Sequence, residues 1–325
     1  MIKPATSALA LLLLASTATA QQDALPIIDM HMHAKAAGDF GPPPIALCIP
    51  LTLYGVVDPQ CPEPILSPAT DEAMIEQTVE IIERRNVIGV LSGRTLEKIG
   101  PFKRAVPSRF IPAYQLNLGR EEDTLSPDAL RRHFEAGEFS VLGEITNQYA
   151  GIAPGDERME PYWALAEELD IPVGIHLGEG YPGAPYLDDP DYRARLGSPL
   201  LLEDVLVRHP KLRVYVMHYG SPMVDEMIAV LYTHPQVYVD IGGIQWTYPR
   251  EYFYGQLKKF IDAGFGNRVM FGSDQMIWPG LIEPSIAIIE EAPFLSEEQK
   301  RDILYNNAAR FLRFSEEEIA RHHSR

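Results

Sequence analysis

His31 and His33 stand two residues apart in the run Ile28-Asp29-Met30-His31-Met32-His33. On an extended strand, residues two apart point to the same side, so one strand can offer two imidazoles to one ion. Four more metal-competent side chains follow at wide intervals: Glu144, His176, His218 and Asp274. Imidazole nitrogens together with carboxylate oxygens suit zinc first, and also admit iron or manganese. Taken singly, each residue has a structural use, because a strand-end histidine is more often a hydrogen-bonding residue than a ligand. Their common position is what carries weight.

That position follows from the elements around them. Short apolar runs predict strands over residues 27–33, 87–91, 110–116, 140–146, 171–177, 212–219, 237–242 and 269–274. Amphipathic stretches predict helices between them. Asp71 is placed to cap one that carries Met74, Ile75, Thr78, Val79 and Ile82 on one face. Others are expected over 127–136, 162–169, 200–208, 223–232 and 252–263. A last one starts at a capping box of Ser296 with Gln299 and carries Ile303, Leu304, Ala308, Phe311 and Leu312. Nearly continuous apolar strands alternating with helices indicate a parallel sheet. Eight such units without a domain-scale break predict an α/β fold, a (β/α)8 TIM barrel with an extended first βα loop over residues 34–70. In such barrels the active site lies at the carboxyl ends of the strands. His31 and His33 close the first strand, Glu144 lies near the end of the fourth, His176 of the fifth, His218 of the sixth, and Asp274 ends the eighth. His176 shares its face with Gly174, and His218 with Val214 and Val216.

Several other residues have places in this scheme. Asp29 shares a face with His31 and supports it from the layer below. Asp240 ends the seventh strand, within reach of the site or in a structural role. Trp246, Tyr248, Tyr181, Tyr186 and Trp278 follow strand ends, either walling a pocket for an apolar or aromatic substrate or packing the loops. His209 and His234 precede prolines on the opposite face and are structural. His133 lies in an exposed helix, and His322 and His323 in a polar tail.

The first twenty residues read differently from the rest. Lys3, the apolar run 8–15 and Ala18-Thr19-Ala20 have the charge, length and cleavage pattern of a secretory signal, and the run is too short to span a bilayer. Residues 21–325 then form one domain, exported to the periplasm or secreted, with no membrane insertion after cleavage. The formal net charge of −17 argues against nucleic acid and anionic membranes as partners. Two cysteines occur, Cys48 and Cys61. In an oxidising compartment they could bridge and staple the first loop, which could then cover the barrel mouth; two unrelated thiols are the alternative.

The ordered set H-x-H, Glu, His, His, Asp on strands one, four, five, six and eight resembles the amidohydrolase superfamily. The segments around His31, Val216-Met217-His218-Tyr219-Gly220, Phe271-Gly272-Ser273-Asp274 and Asn307-Ala308-Ala309-Arg310-Phe311 resemble its amidohydrolase-related branch. The resemblance implies that His31, His33, His176 and Asp274 hold one divalent metal ion, with zinc the first choice. Glu144 either joins the ligands of a second ion or orients a ligand histidine. It further implies a metal-dependent hydrolase in which Asp274 is the general acid–base and His218 polarises substrate or water, cleaving an ester, lactone or amide-type bond of a small molecule. Decarboxylation of a small aromatic or related acid is the alternative. It needs a cation near the departing carboxylate, for which Arg193, Arg195 and Arg250 are the candidates. A non-catalytic secreted binding barrel is the third reading. A homo-oligomer is compatible with all three.

Overall fold

The computed structural model describes residues 24–51, 61–119 and 124–324. Its centre is an eight-stranded parallel sheet in chain order, from Ile27–His33 through Val87–Gly93, Phe110–Leu116, Val141–Ile145, Val173–His176, Val214–Met217 and Val237–Asp240 to Val269–Met270. The eighth strand returns to the first: Met30 N donates to Phe271 O at 2.9 Å and Asp274 N to His31 O at 2.7 Å. The chain is therefore a (β/α)8 barrel.

Two apolar clusters hold it together. Ile28, Met30, Val90, Ala113, Val141, Tyr215, Met217 and Met270 come from strands all round the sheet and fill the lumen, closed below by Tyr305, Ala308 and Phe311. A larger cluster, including Val173, Ile175, Val214 and Val216, packs the outer face of the sheet against the helices. The lumen is a packed core rather than a channel, so polar groups collect only at its rim.

The structure departs from the expected elements at informative places. Thr70, not Asp71, caps the helix Asp71–Arg84, its hydroxyl accepting from Ala73 N; Asp71 instead accepts from Ala37 N at 2.8 Å, tying down the first loop. The helices Leu96–Ala105, with Pro101 in its interior, and Ile282–Glu290, with a proline in its first turn, were not expected. The tail is also ordered. A second capping box, Ser315 with Glu318, starts the helix Glu316–His323, and His322 Nδ1 lies 2.9 Å from the Tyr305 hydroxyl. The sixth strand stops at Met217 and the eighth at Met270, both short of the histidine and aspartate expected to end them.

The long first loop forms a small antiparallel ribbon, Ala46–Leu47 against Ile65–Leu66, and Cys48 is bonded to Cys61. Trp278 Nε1 donates to Ile45 O and Leu51 N to Thr247 O, so the insert is strapped to the exits of the seventh and eighth strands. Among the described residues no helix is long and apolar enough to cross a membrane. The expected signal segment, residues 1–20, lies outside the described residues.

Candidate metal centre

Six side chains from five strand exits meet at one end of the barrel. His31 and His33 project from the first strand with ring centroids 5.2 Å apart, and Glu144 rises from the fourth. His176 ends the fifth strand. His218 and Asp274 arrive by another route. Val214 and Val216 face the helices, so strict alternation would turn His218 away from the lumen. Instead the backbone turns into the left-handed region at His218 (φ 57°) and Tyr219 (φ 40°), and again at Asp274 (φ 51°). Such conformations are unfavourable for these residue types and persist where surrounding structure enforces them, commonly at functional sites.

The two carboxylates sit among the imidazoles. His33 Nε2 lies 3.0 Å and His31 Nε2 3.6 Å from Asp274 Oδ1. Glu144 Oε1 lies 3.9 Å from His31 Nε2 and 3.8 Å from His218 Nε2, and Glu144 Oε2 lies 3.7 Å from His33 Nε2. Two overlapping groups result, His31–His33–Asp274 and His31–Glu144–His218, each with its ligand atoms within 4.8 Å of one another. His176 stands apart from both groups. Its ring centroid is 4.6 Å from that of His218, but its Nε2 lies 3.1 Å from the Tyr149 hydroxyl.

Hydrogen-bond partners fix which nitrogen each ring offers. His31 Nδ1 lies 3.2 Å from Asp240 Oδ2. His218 Nδ1 donates to Gly242 O at 2.6 Å, and His176 Nδ1 lies 3.1 Å from Gln148 Oε1. A carbonyl oxygen only accepts, so Nδ1 of His218 and of His176 carries a proton and Nε2 of each ring faces the site, whereas the His31 contact with Asp240 is an ion-pair distance without hydrogen-bond geometry. Asp240 is the buried carboxylate beside His31 Nδ1, while Glu144 lies among the candidate ligand atoms themselves. Asp240 Oδ1 also accepts from His218 N and Gly242 N. Below, Asp29 Oδ1 accepts from His31 N and Ser273 N, and Gln275 bonds both His33 N and His33 O, locking the first strand to the eighth-strand exit.

Burial and charge compete in this cluster. Burial pushes the His31 imidazolium down, but the carboxylates of Asp274, Asp240 and Glu144 outweigh it and hold its pKa up at about 10. Burial raises the Glu144 and Asp274 carboxyls, yet the surrounding histidines hold both below the ordinary carboxylate range. His176 is pushed down to about 3 by burial and by its neighbour His218. Carboxylates buried away from water thus hold positive charge on His31, and a divalent cation among the same oxygens and imidazoles would supply that charge in place of the proton. Both ring nitrogens of His31 are buried without a hydrogen-bond partner. A buried unpaired nitrogen is costly unless something accepts its lone pair, so these residues fit an ion.

Above the cluster opens a cavity of about 390 Å³, lined by His33, Glu144, His176, His218 and Asp274 at its floor. Tyr181, Trp246, Tyr248 and Trp278 wall it as expected, with Phe40, Leu47 and Leu51 of the first loop added. Tyr186 instead points to solvent, 89% exposed. The cations on the cavity are Lys35 and Arg94, not the three arginines considered from sequence. Arg193 donates to Pro190 O and Tyr192 O, Arg250 pairs with Glu291, and Arg195 is exposed and off the cavity wall. Gln148 and Tyr149 were missed too. Their signal was position alone: they follow directly on the fourth strand, where active-site loops emerge. On the opposite face His209 is held between Glu160 and Glu167 at 2.9 and 3.1 Å, a structural role. His133 is partly covered and bonds Glu138.

Comparison with known proteins agrees with this architecture. Among solved structures, an uncharacterized TIM-barrel protein from Bordetella bronchiseptica superposes with a TM-score of 0.61 at 18% identity, covering 91% of this chain and 100% of that one. A probable 2-pyrone-4,6-dicarboxylic acid hydrolase from Acinetobacter baumannii, solved with citric acid bound, gives 0.60 at 15% identity over 89% and 100%. A 5-carboxyvanillate decarboxylase from Sphingomonas paucimobilis gives 0.54 at 14% over 90% and 100%. At such identities the likeness is one of fold. No curated protein matches the sequence. The amidohydrolase family profile matches residues 28–314, nearly the whole described chain, and this chain belongs to that family.

Proposed function

We propose that this chain is an exported, divalent-metal-dependent hydrolase that cleaves an ester, lactone or amide-type bond of a small molecule. The observation that carries the reading is the convergence of His31, His33 and His218 Nε2 on the buried carboxylates of Glu144 and Asp274, beneath an open cavity. His31, His33, Asp274 and His176 would hold the ion, zinc by donor type, with Glu144 joining them or supporting a second ion. When bound, it supplies Lewis acidity, lowering the pKa of a water and polarising the substrate carbonyl.

The remaining steps belong to side chains. Asp274 stays ionised among the histidines and accepts the proton of the attacking water, then returns it to the leaving group. Burial lowers the proton affinity of His218, but the carboxylate of Glu144, 3.8 Å from Nε2, outweighs it together with Asp274 and Asp240, so its imidazolium can donate to the developing oxyanion. Asp240, Gln148 and Gly242 O keep the rings turned. Phe40, Leu47 and Leu51 of the first loop line the cavity, and that loop's Cys48–Cys61 bond suits an oxidising compartment, which supports export.

Lys35 and Arg94 favour a second reading, decarboxylation of an anionic substrate, because they place positive charge on the cavity wall. The test is product analysis with zinc-loaded protein. Esters, lactones and amides are offered beside small aromatic acids, and both hydrolysis and carbon dioxide are measured. Hydrolysis without carbon dioxide is expected; carbon dioxide release alone would replace the first reading with the second.

A further inference from the structure

The Gln148 side chain settles more than the tautomer of His176. Gln148 Nε2 donates to Gly178 O at 2.7 Å, so its Oε1 is the atom that faces His176 Nδ1. His176 Nδ1 therefore carries the hydrogen, and Nε2 has only a lone pair to offer. The Tyr149 hydroxyl, 3.1 Å away, must then be the donor to that lone pair. Tyr149 is packed against His176 with ring centroids 4.9 Å apart, and against Tyr181 and Tyr192 at 5.9 and 5.5 Å, and it lines the cavity. Its phenol thus occupies the one histidine nitrogen that is missing from both ligand groups.

We propose that Tyr149 is a substrate-binding hydrogen-bond donor held in reserve on His176, which an ion releases by taking the same lone pair. This rests on the metal reading of the site. One lone pair cannot serve both an O–H donor and a cation, so loading the site frees the phenol beside the ligand nitrogen. There it faces the cavity and donates to an oxygen of the substrate bound at the ion, a contact strengthened as that oxygen gains charge. The aromatic stack limits the ring to a small rotation, so the hydroxyl stays within the site when it lets go.

The test needs no substrate. Zinc affinity, and acetohydroxamate binding to the zinc-loaded protein, are measured by calorimetry for wild type and for Tyr149→Phe, which keeps the ring contacts. Removing the competing donor should tighten zinc binding by roughly threefold or more, and removing the donor to the bound oxygen should weaken acetohydroxamate about tenfold. As a measurement independent of the variant, zinc added to wild type should shift the near-ultraviolet absorbance of one tyrosine. Equal zinc affinity, unchanged acetohydroxamate affinity or an unchanged tyrosine spectrum in zinc-loaded wild type overturns the proposal alone. Wild type that takes up no zinc overturns the metal reading, and the proposal with it.

Discussion

Gly243, which lines the cavity without a side chain, offers a sharp perturbation of the site. Its backbone lies at φ +77°, ψ −45°, a conformation that L side chains rarely adopt. A Cβ added there would stand 2.7 Å from Asp274 Oδ2 and 3.3 Å from His218 Nδ1. Two effects are therefore expected from Gly243→Ala. Backbone strain should cost about 1–3 kcal/mol of stability. The 2.7 Å approach lies well inside ordinary carbon–oxygen contact, so the Asp274 carboxylate must move by about half an ångström or more, and a misplacement of about 1 Å can lower turnover 10²-fold. Gly264→Ala separates the two. Gly264 also has positive φ, at +85°, but nothing lies within 4 Å of its added Cβ. Both variants should lose thermal stability, measured by calorimetry, whereas only Gly243→Ala should lose ion affinity and turnover, measured by metal titration and steady-state kinetics. A Gly243→Ala protein with wild-type ion affinity and turnover would show that Asp274 and His218 are not where the chemistry happens.

Other expectations follow from the same contacts. Asp240→Asn leaves His31 Nδ1 without its carboxylate and should weaken ion binding 10–100-fold with little loss of fold, as read by competition with a chelator. Reducing Cys48–Cys61, 13 residues apart, removes a constraint of about 3 kcal/mol on the unfolded chain, so the melting temperature should fall in reductant but not in its absence. Glu160 and Glu167 titrate low: burial raises them, but His209 with Arg208 beside the first, and Lys211 N with His209 beside the second, outweigh it. A carboxyl depressed by folding stabilises above its ordinary pKa and loses that contribution as pH falls through its folded value. The double variant Glu160→Gln, Glu167→Gln should therefore be less stable than wild type at pH 7 by no more than about 1 kcal/mol, given the exposure of both groups, and the gap should close below pH 4. A gap that widens in acid would reverse the assignment.

The barrel was legible because its signal is physical and repeated. Strands buried on both faces must be apolar throughout, and their spacing left room only for crossover helices. The candidate ligands were legible because they break that apolar rule at the strand ends. Period-two reasoning put His31 and His33 on one side, as the structure has them, but it oriented His218 wrongly. Val214 and Val216 face outward, and a left-handed turn, which no sequence period announces, brings His218 in. Asp240 could not be told from a ligand, since its role depends on lying behind His31 rather than beside it. Gln148 and Tyr149 were invisible for a similar reason: an amide and a phenol on a loop acquire meaning only from the nitrogen they meet. The cationic wall was misassigned because loop arginines are placed by partners that composition does not announce, backbone carbonyls of its own loop for Arg193 and the distant carboxylate of Glu291 for Arg250.

The central claim is that one cation sits where these imidazoles and carboxylates converge. Crystals of protein never exposed to chelator, measured on both sides of the zinc absorption edge, test it most directly. An anomalous peak within bonding distance of His31, His33 and Asp274 is the predicted result. A fully ordered site without such a peak, in crystals grown with zinc present, would contradict it.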